Sequence, residues 1–435
     1  MKRNRRLSGK EHVAPWERAL DRVLSPIEVF IHRQTTSGVL LMLCAVVALI
    51  IANSQWADAY HHFFQLYLTI GLENFQLSKS LHHWINDGFM ALFFLVVGLE
   101  LKRELLVGEL ANIKQAMLPI IAAVGGMLVP ALIYFAINPS GHTADGWGIP
   151  MATDIAFALG ALALLGKRIP QSLLMFLVAL AIVDDLGAVI VIALFYTDTL
   201  NMTALALAGF FIFTLTCLNL GGVRRLSPYL MLGAFLWVAM LKSGIHATLA
   251  GVLIAMTIPL KEKDGDKALL YRAEHALHPW VAFLILPLFA FGNAGVSLSG
   301  LSLADLAQPL TLGIAAGLFI GKQVGVFAAT WIGCKSGLAK LPQGVTWQHV
   351  YGVACLTGVG FTMSLFIGSL AFSDADTMHA VRVGVMTGSI MSGVVACRCY
   401  CRPEPNRATI YSPWMRQPAP VWKFSPPSKA VERVV

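Results

Sequence analysis

Long apolar runs alternate with short polar segments along most of this chain. A helix needs about 20 apolar residues to cross a bilayer. The pattern therefore predicts an all-α polytopic membrane protein, with a twelve-helix transporter domain over residues 36–401. The predicted spans are residues 37–54, 85–101, 117–137, 148–165, 171–197, 203–219, 229–241, 244–259, 278–297, 309–334, 350–373 and 380–399.

The loop between the first two predicted spans, residues 55–84, is the long one. Residues 62–70 and 74–77 are typical of β-strands and flank Gly71, which predicts a small β-hairpin over residues 62–77. An isolated hairpin is marginally stable in water, so it is expected to pair with another element, a second subunit being one option. The alternative is an irregular covering loop.

The two ends of the chain differ in composition from its centre. Residues 1–35 are basic, and residues 16–30 predict an amphipathic surface helix that Pro26 interrupts. No cleavable signal peptide is evident, because the first apolar run is long enough to span. Residues 402–435 carry seven of the twenty prolines and predict a disordered tail whose basic and aromatic residues rest on the inner lipid surface.

Composition agrees with a membrane protein. The chain is 57% hydrophobic and 13% charged, with a mean hydropathy of +0.68, whereas soluble domains carry about 25% charged residues. The net charge of +8 does not indicate nucleic-acid binding, because the basic residues lie in short loops. If the N-terminus is cytoplasmic, only Lys79 and Lys242 fall in outside loops, with Arg382 just inside the last span. The positive-inside rule then places both termini in the cytoplasm.

The seven cysteines form no C-x-x-C pair, and most lie within predicted spans. Reduced structural thiols are the expected state. Cys397, Cys399 and Cys401, at the end of the last span, are a weak indication of a metal site. No cofactor is expected.

Two adjacent carboxylates, Asp184 and Asp185, lie at the centre of the fifth span. An acidic residue at this depth costs roughly 2.5–3.5 kcal/mol, so its presence indicates function. Lys322 lies equally deep in the tenth span, which allows an ion pair. Adjacent helical residues point about 100° apart, so one aspartate can pair with Lys322 while the other faces a cavity.

The fourth and eleventh spans contain residues that interrupt helices. Asp154 follows Pro150 and Thr153 in the fourth span, and Gly358, Gly360 and Thr362 lie in the eleventh. Interrupted spans in corresponding positions of two halves indicate a transporter binding site, and spans 3–5 and 10–12, which run in opposite directions, predict an inverted repeat. The alternative is that the glycines only permit tight helix packing.

Carboxylate and hydroxyl oxygens are hard ligands, which suit cations such as Na⁺, Li⁺ or Mg²⁺. Two neighbouring carboxylates in a low dielectric repel each other, so one is expected to hold a proton near neutral pH. A proton and a cation that compete for one site, exposed to each side in turn, form a minimal exchanger. The residues thus indicate cation/proton exchange without selecting Na⁺.

Three other classes of membrane protein use intramembrane acids. An intramembrane aspartyl protease would carry a Gly-x-Gly-Asp signature, and a prenyl transferase would carry D-x-x-D repeats; neither is present. A Na⁺-driven symporter is the stronger alternative. Substrate accumulation without obligatory proton countertransport would distinguish it.

Four motifs carry a family resemblance: TDIAFA at 153–158, VDDLGA at 183–188, GK at 321–322 and GFTMS at 360–364. With them, about residues 15–400 closely resemble the NhaA-type sodium/proton antiporters. The resemblance implies broken spans 4 and 11 that cross at mid-membrane, and electrogenic exchange of cytoplasmic Na⁺ or Li⁺ for external H⁺. It also implies that Asp185 is the principal cation and proton carboxylate, that Asp184 pairs with Lys322, and that Asp154 and Thr153 neighbour the cation and offset the facing helix ends.

The same resemblance implies strong regulation by pH, a location in the bacterial inner membrane, and a homodimer formed through the outside hairpin at residues 62–77. The residues that match the family's pH-sensing positions are Glu100, Arg103 and Glu104 at the inner end of span 2, Glu274 and His275 before span 9, and His246. The alternative for these groups is solvated loop charge.

Overall fold

The computed structural model describes residues 34–71, 76–164, 170–197, 200–260, 268–298 and 302–401. The predicted surface helix at residues 16–30 and the predicted tail at residues 402–435 lie outside the described residues. The described chain is mostly helical, as predicted. Its helices are α1 Gln34–Ala52, α2 Ala57–Gln65, α3 Leu81–Leu106, α4 Ile113–Ile137, α5 Ile155–Leu164, α6 Gln171–Phe195, α7 Met202–Leu220, α8 Leu226–Leu241, α9 Leu249–Thr257, α10 Leu269–Asn293, α11 Leu303–Leu306, α12 Pro309–Lys335, α13 Trp347–Thr357, α14 Phe361–Ala371 and α15 Ala375–Cys401.

Several helices begin where the sequence supplies a side-chain acceptor for their free N–H groups. Asn112 caps α4 through the N–H of Lys114, and Asn201 caps α7 through two N–H groups. At α13, Thr346 and His349 form a reciprocal capping box. Short 3₁₀ segments, Glu109–Ala111 and His142–Met151, precede α4 and α5.

Eight helical segments are long and apolar enough to cross a membrane, which confirms a polytopic membrane protein. A ninth is obtained if α1 and α2, bent by 114° at their junction, count as one span. The other predicted spans correspond to shorter or interrupted helices: α8 has 16 residues, α9 has 9, and the fourth span is broken before α5. The count of twelve spans stays a prediction.

The predicted hairpin exists, but its position differs. β1 Tyr67–Ile70 pairs antiparallel with β2 Leu77–Ser80. The prediction of strand over residues 62–65 was wrong, because these residues complete α2. Tyr60 and Phe64, one helical turn apart in α2, are buried and pack against Phe291, a 3.6-residue spacing that favours helix over strand.

The fourth and eleventh spans are both broken. After the 3₁₀ segment ends at Met151, residues 152–154 form no helix, and α5 begins at Ile155. α13 ends at Thr357, and α14 begins only at Phe361. A Cβ at Gly358 would collide with the Leu318 carbonyl, and one at Gly360 with Ser364. These glycines therefore also permit tight packing, so the two interpretations of them are compatible.

α4 and α12 pack closely because glycines face each other across the contact. A Cβ at Gly125 or at Gly325 would collide with the backbone of the other residue. Next to this pair, Gly126 faces Val326 and the side chain of Lys322. The close contact therefore buries the middle of α12 and holds Lys322 inside the protein.

Candidate cation site

Lys322 and Asp184 form an ion pair in the centre of the protein. The Lys322 Nζ lies 3.1 and 2.9 Å from the two carboxylate oxygens of Asp184. It also donates a hydrogen bond of 2.9 Å to the hydroxyl of Thr153. An ammonium group has three N–H donors, so these three bonds use all of them. The side chains of Lys322 and Asp184 are 0% and 1% exposed.

A local irregularity in α12 precedes the lysine. Residues Gly317–Gly321 form a π-turn that ends at Lys322, and such turns occur often at functional sites. A Cβ at Gly321 would collide with the backbone of Pro130 in α4. The small residues before Lys322 thus let α12 approach α4 while the lysine side chain reaches α6.

Asp185 differs from its neighbour in its environment. Its side chain is 5% exposed, yet among the described residues no group donates a hydrogen bond to its carboxylate. The charged groups that act on it electrostatically are Asp184, Glu100, Asp154 and Lys322. Three carboxylates and one ammonium therefore act electrostatically on a buried acid that has no direct protein partner in the described chain.

Asp154 caps two helices at once. One of its oxygens accepts a hydrogen bond of 3.0 Å from the N–H of Phe157, in the first turn of α5. The other accepts a bond of 3.0 Å from the N–H of Thr362, in the first turn of α14, and a second bond from the Thr362 hydroxyl. A carboxylate is stabilised by the positive end of a helix dipole, and here two such ends converge on one side chain.

The two broken spans are hydrogen-bonded directly to each other. The N–H of Asp154 donates to the Val359 carbonyl at 2.8 Å, and the Thr153 hydroxyl donates to the Thr357 carbonyl at 2.9 Å. Thr153 therefore links the end of α13 to Lys322. The breaks, the ion pair and the carboxylates form one continuous polar centre.

Replacing Asp154 with alanine should lower the stability of the protein. The change removes two helix caps, each of which contributes about 1 kcal/mol. We expect Asp154→Ala to lower the melting temperature in detergent, and Asp154→Asn, which keeps one acceptor oxygen, to lower it less. Equal melting temperatures for the wild-type protein and Asp154→Ala would contradict the double-cap role.

The family model described as Na⁺/H⁺ antiporter 1 matches residues 28–399, which include this whole polar centre. The chain belongs to the Na⁺/H⁺ antiporter 1 family. The Na(+)/H(+) antiporter NhaA of Rhodospirillum rubrum is 55% identical over 382 residues, covering 86% of this chain and 96% of the relative. Those of Albidiferax ferrireducens and Pelagibacter ubique are 57% and 52% identical, covering 84% and 85% of this chain and 94% and 95% of the relatives.

Family membership confirms the resemblance, and the structure shows where the predicted site residues of this antiporter-family chain lie. Asp184, Lys322 and Thr153 are in direct contact, and Asp154 adjoins them. Gly358 and Gly360 lie in the break, and Thr362 directly follows it. The bonds from Thr362 to Asp154 were not predicted. The sequence does place the Asp154 carboxylate just before α5 and the Thr362 hydroxyl at the start of α14, and this was the available indication of the contact.

The residues predicted to sense pH lie in two separate places. The guanidinium of Arg103 lies 3.1 Å from a carboxylate oxygen of Glu104 and 3.5 Å from one of Glu274. Glu100 lies one helical turn before Arg103 in α3. Glu274 and His275 lie within α10 rather than before it, because that helix begins at Leu269. His246 lies apart from this cluster, with its Nε2 3.8 Å from Asp87.

The described side chains do not support the metal site that Cys397, Cys399 and Cys401 weakly indicated. No group of three His, Cys, Asp or Glu side chains in the described part of the chain is arranged to hold a metal ion. Cys397 and Cys399 lie in the last turns of α15.

Proposed function

We propose that this chain is an electrogenic, pH-regulated antiporter that exchanges cytoplasmic Na⁺ or Li⁺ for external H⁺. The observation that carries the proposal is Asp185: a buried carboxylate without a protein partner in the described chain, beside the Asp184–Lys322 pair. Family membership supports the reaction class. In this role Asp185 binds either a proton or a cation through its hard oxygens.

Asp184 is the second ligand to Na⁺ in this proposal, although both of its oxygens accept hydrogen bonds from Lys322. A cation at Asp185 would compete with the ammonium for Asp184. Electrogenic exchange also requires that the number of protons exchanged per Na⁺ differ from one. Asp185 and the Asp184–Lys322 pair together supply two places where a proton can be held or released.

The proposed transport cycle is alternating access at this centre, in a protein of twelve spans with inverted repeats and both termini in the cytoplasm of a bacterial inner membrane. The two contacting breaks support it, because they place interrupted backbone beside the carboxylates, where discontinuous helices of transporters bind ions. β1 is exposed along its full length, which supports its proposed use in a homodimer.

The proposed regulation by pH involves the cluster of Arg103, Glu104 and Glu274 with Glu100, and separately His246. The guanidinium of Arg103 lies within 3.5 Å of a carboxylate oxygen of Glu104 and of Glu274, so a change of charge on one of these groups acts on its neighbours. The Nε2 of His246 lies 3.8 Å from Asp87, in a separate place. The cluster lies on α3 and α10, and His246 lies just before α9. Solvated charge without a regulatory role is the competing interpretation.

Proton flux in vesicles tests the function. The purified full chain is reconstituted, an acid-inside gradient is imposed, and a pH-sensitive dye is followed as NaCl, LiCl or KCl is added at pH 7 and at pH 8.5. Dequenching with Na⁺ and Li⁺ but not with K⁺, and stronger at pH 8.5, is the expected result. A flat trace at both pH values with Na⁺ uptake still measurable would contradict antiport and favour a symporter.

A further inference from the structure

A cavity of about 650 Å³ lies away from the polar centre, beside the first turns of α4 and α6. The segment 337–342, which follows α12, closes its third side. The residue that follows this segment is fixed to α6, because the Ser172 hydroxyl donates a hydrogen bond of 2.8 Å to the Gln343 carbonyl. The cavity thus lies between α4, α6 and the segment that follows α12.

The charged side chains that line this cavity are positive. Lys114 on α4 and Lys340 on the closing segment both line it, both are exposed, and no described residue that lines it is acidic. Pro170, which precedes α6, offers no side-chain acceptor to the N–H groups of that helix. The positive end of its dipole adds to the two lysine charges. Such a rim repels cations and attracts a phosphate or another anion.

The cavity floor is apolar. It is formed by Leu118 and Pro119 of α4 and by Met175, Phe176 and Ala179 of α6. Met175 is 50% exposed, and Leu338 on the closing segment is 64% exposed. An inorganic anion would leave this apolar surface uncovered, whereas an amphiphile would cover the floor and meet the lysines with its head. The terminal segments of the chain, which are both basic, have the wrong charge for this rim.

We propose that this cavity binds one anionic phospholipid of the adjoining leaflet. The phosphate lies between Lys114 and Lys340, and an acyl chain lies against Leu118, Met175 and Phe176. The lipid is a structural ligand that ties together α4, α6 and the segment 337–342. It does not take part in ion exchange.

The test uses the purified, delipidated full chain in an uncharged detergent. Phosphatidylglycerol or phosphatidylcholine with the same acyl chains is added, and thermal unfolding is followed, with native mass spectrometry to count the bound lipids. We expect phosphatidylglycerol to raise the melting temperature by about 5 °C, phosphatidylcholine to have little effect, and one tightly bound phosphatidylglycerol to be detected. Equal effects of the two lipids would overturn the proposal.

Variants locate the site. The double variant Lys114→Gln/Lys340→Gln should lose the preference for phosphatidylglycerol, and Lys114→Arg/Lys340→Arg should keep it. The control is Lys242→Gln/Lys335→Gln, which removes the same charge outside the cavity; Lys335 instead lies over the Trp331 ring at 4.5 Å. If Lys114→Gln/Lys340→Gln does not fold, the single variants replace it. A preference that survives in the glutamine variants, or full stabilisation by glycerol phosphate without acyl chains, would overturn the proposal.

Discussion

Replacing Asp185 with asparagine is expected to abolish Na⁺-dependent proton flux while the protein still inserts and folds. Asparagine has nearly the shape of aspartate, but it carries no charge and does not exchange a proton. Loss of a unit charge about 4 Å from a cation removes about 4 kcal/mol of attraction at the effective dielectric of a protein. This corresponds to roughly a thousandfold weaker binding of Na⁺. The vesicle assay with NaCl and LiCl measures the loss.

The folded state of this variant can be checked independently. No described residue bonds to the Asp185 carboxylate, so Asp185→Asn should melt close to the wild-type temperature in detergent. Asp305→Asn is the matched control, because it neutralises an aspartate in the short helix α11, away from the polar centre. Near-normal Na⁺-dependent flux in Asp185→Asn would exclude Asp185 as the exchange site.

Replacing Lys322 with alanine should give the largest loss of stability of any single change in the polar centre. It leaves Asp184, at 1% exposure, as a buried carboxylate without its cation, and it removes a donor from Thr153. Breaking a buried ion pair in this way costs about 3–5 kcal/mol. For a chain of this size we expect the melting temperature in detergent to fall by roughly 10 °C.

A double variant separates the ion pair from simple loss of packing. Asp184→Asn/Lys322→Ala removes the unpaired charge together with the lysine, so it should recover part of the stability that Lys322→Ala loses. Lys335→Ala, in the last turn of the same helix, is the control for removing a lysine from α12. An unchanged melting temperature in Lys322→Ala would show that the pair does not stabilise the protein.

The contact between Asp184 and Lys322 follows from their positions in the sequence. Each lies equally deep in its span, and few other ionisable side chains reach that depth, so the choice of partners is small. The double cap at Asp154 does not follow in this way. It depends on the N-terminal turns of α5 and α14 meeting at one point, and spacing within one span does not encode how two spans cross.

The hydrophobic pattern along the sequence predicted the long helices better than the irregular segments. The lengths of the apolar runs predicted the ends of four helices to within a few residues: α4, α6, α7 and α12. The pattern did not show that α10 begins with polar turns containing Glu274, because a hydropathy pattern excludes such residues from a span. It also assigned the end of α2 to a strand, since the burial of Phe64 depends on Phe291, far along the chain.

The polar centre is assembled from residues that leave the ribosome far apart in time. Thr362 follows Asp154 by 208 residues, and Lys322 follows Asp184 by 138 residues. At about 5–20 residues per second, roughly 10–40 s pass between synthesis of Asp154 and synthesis of Thr362 in the second helix that Asp154 caps. Asp154 and Asp184 therefore enter the bilayer or its insertion machinery before these partners exist, and the polar centre closes only after most of the chain has been made.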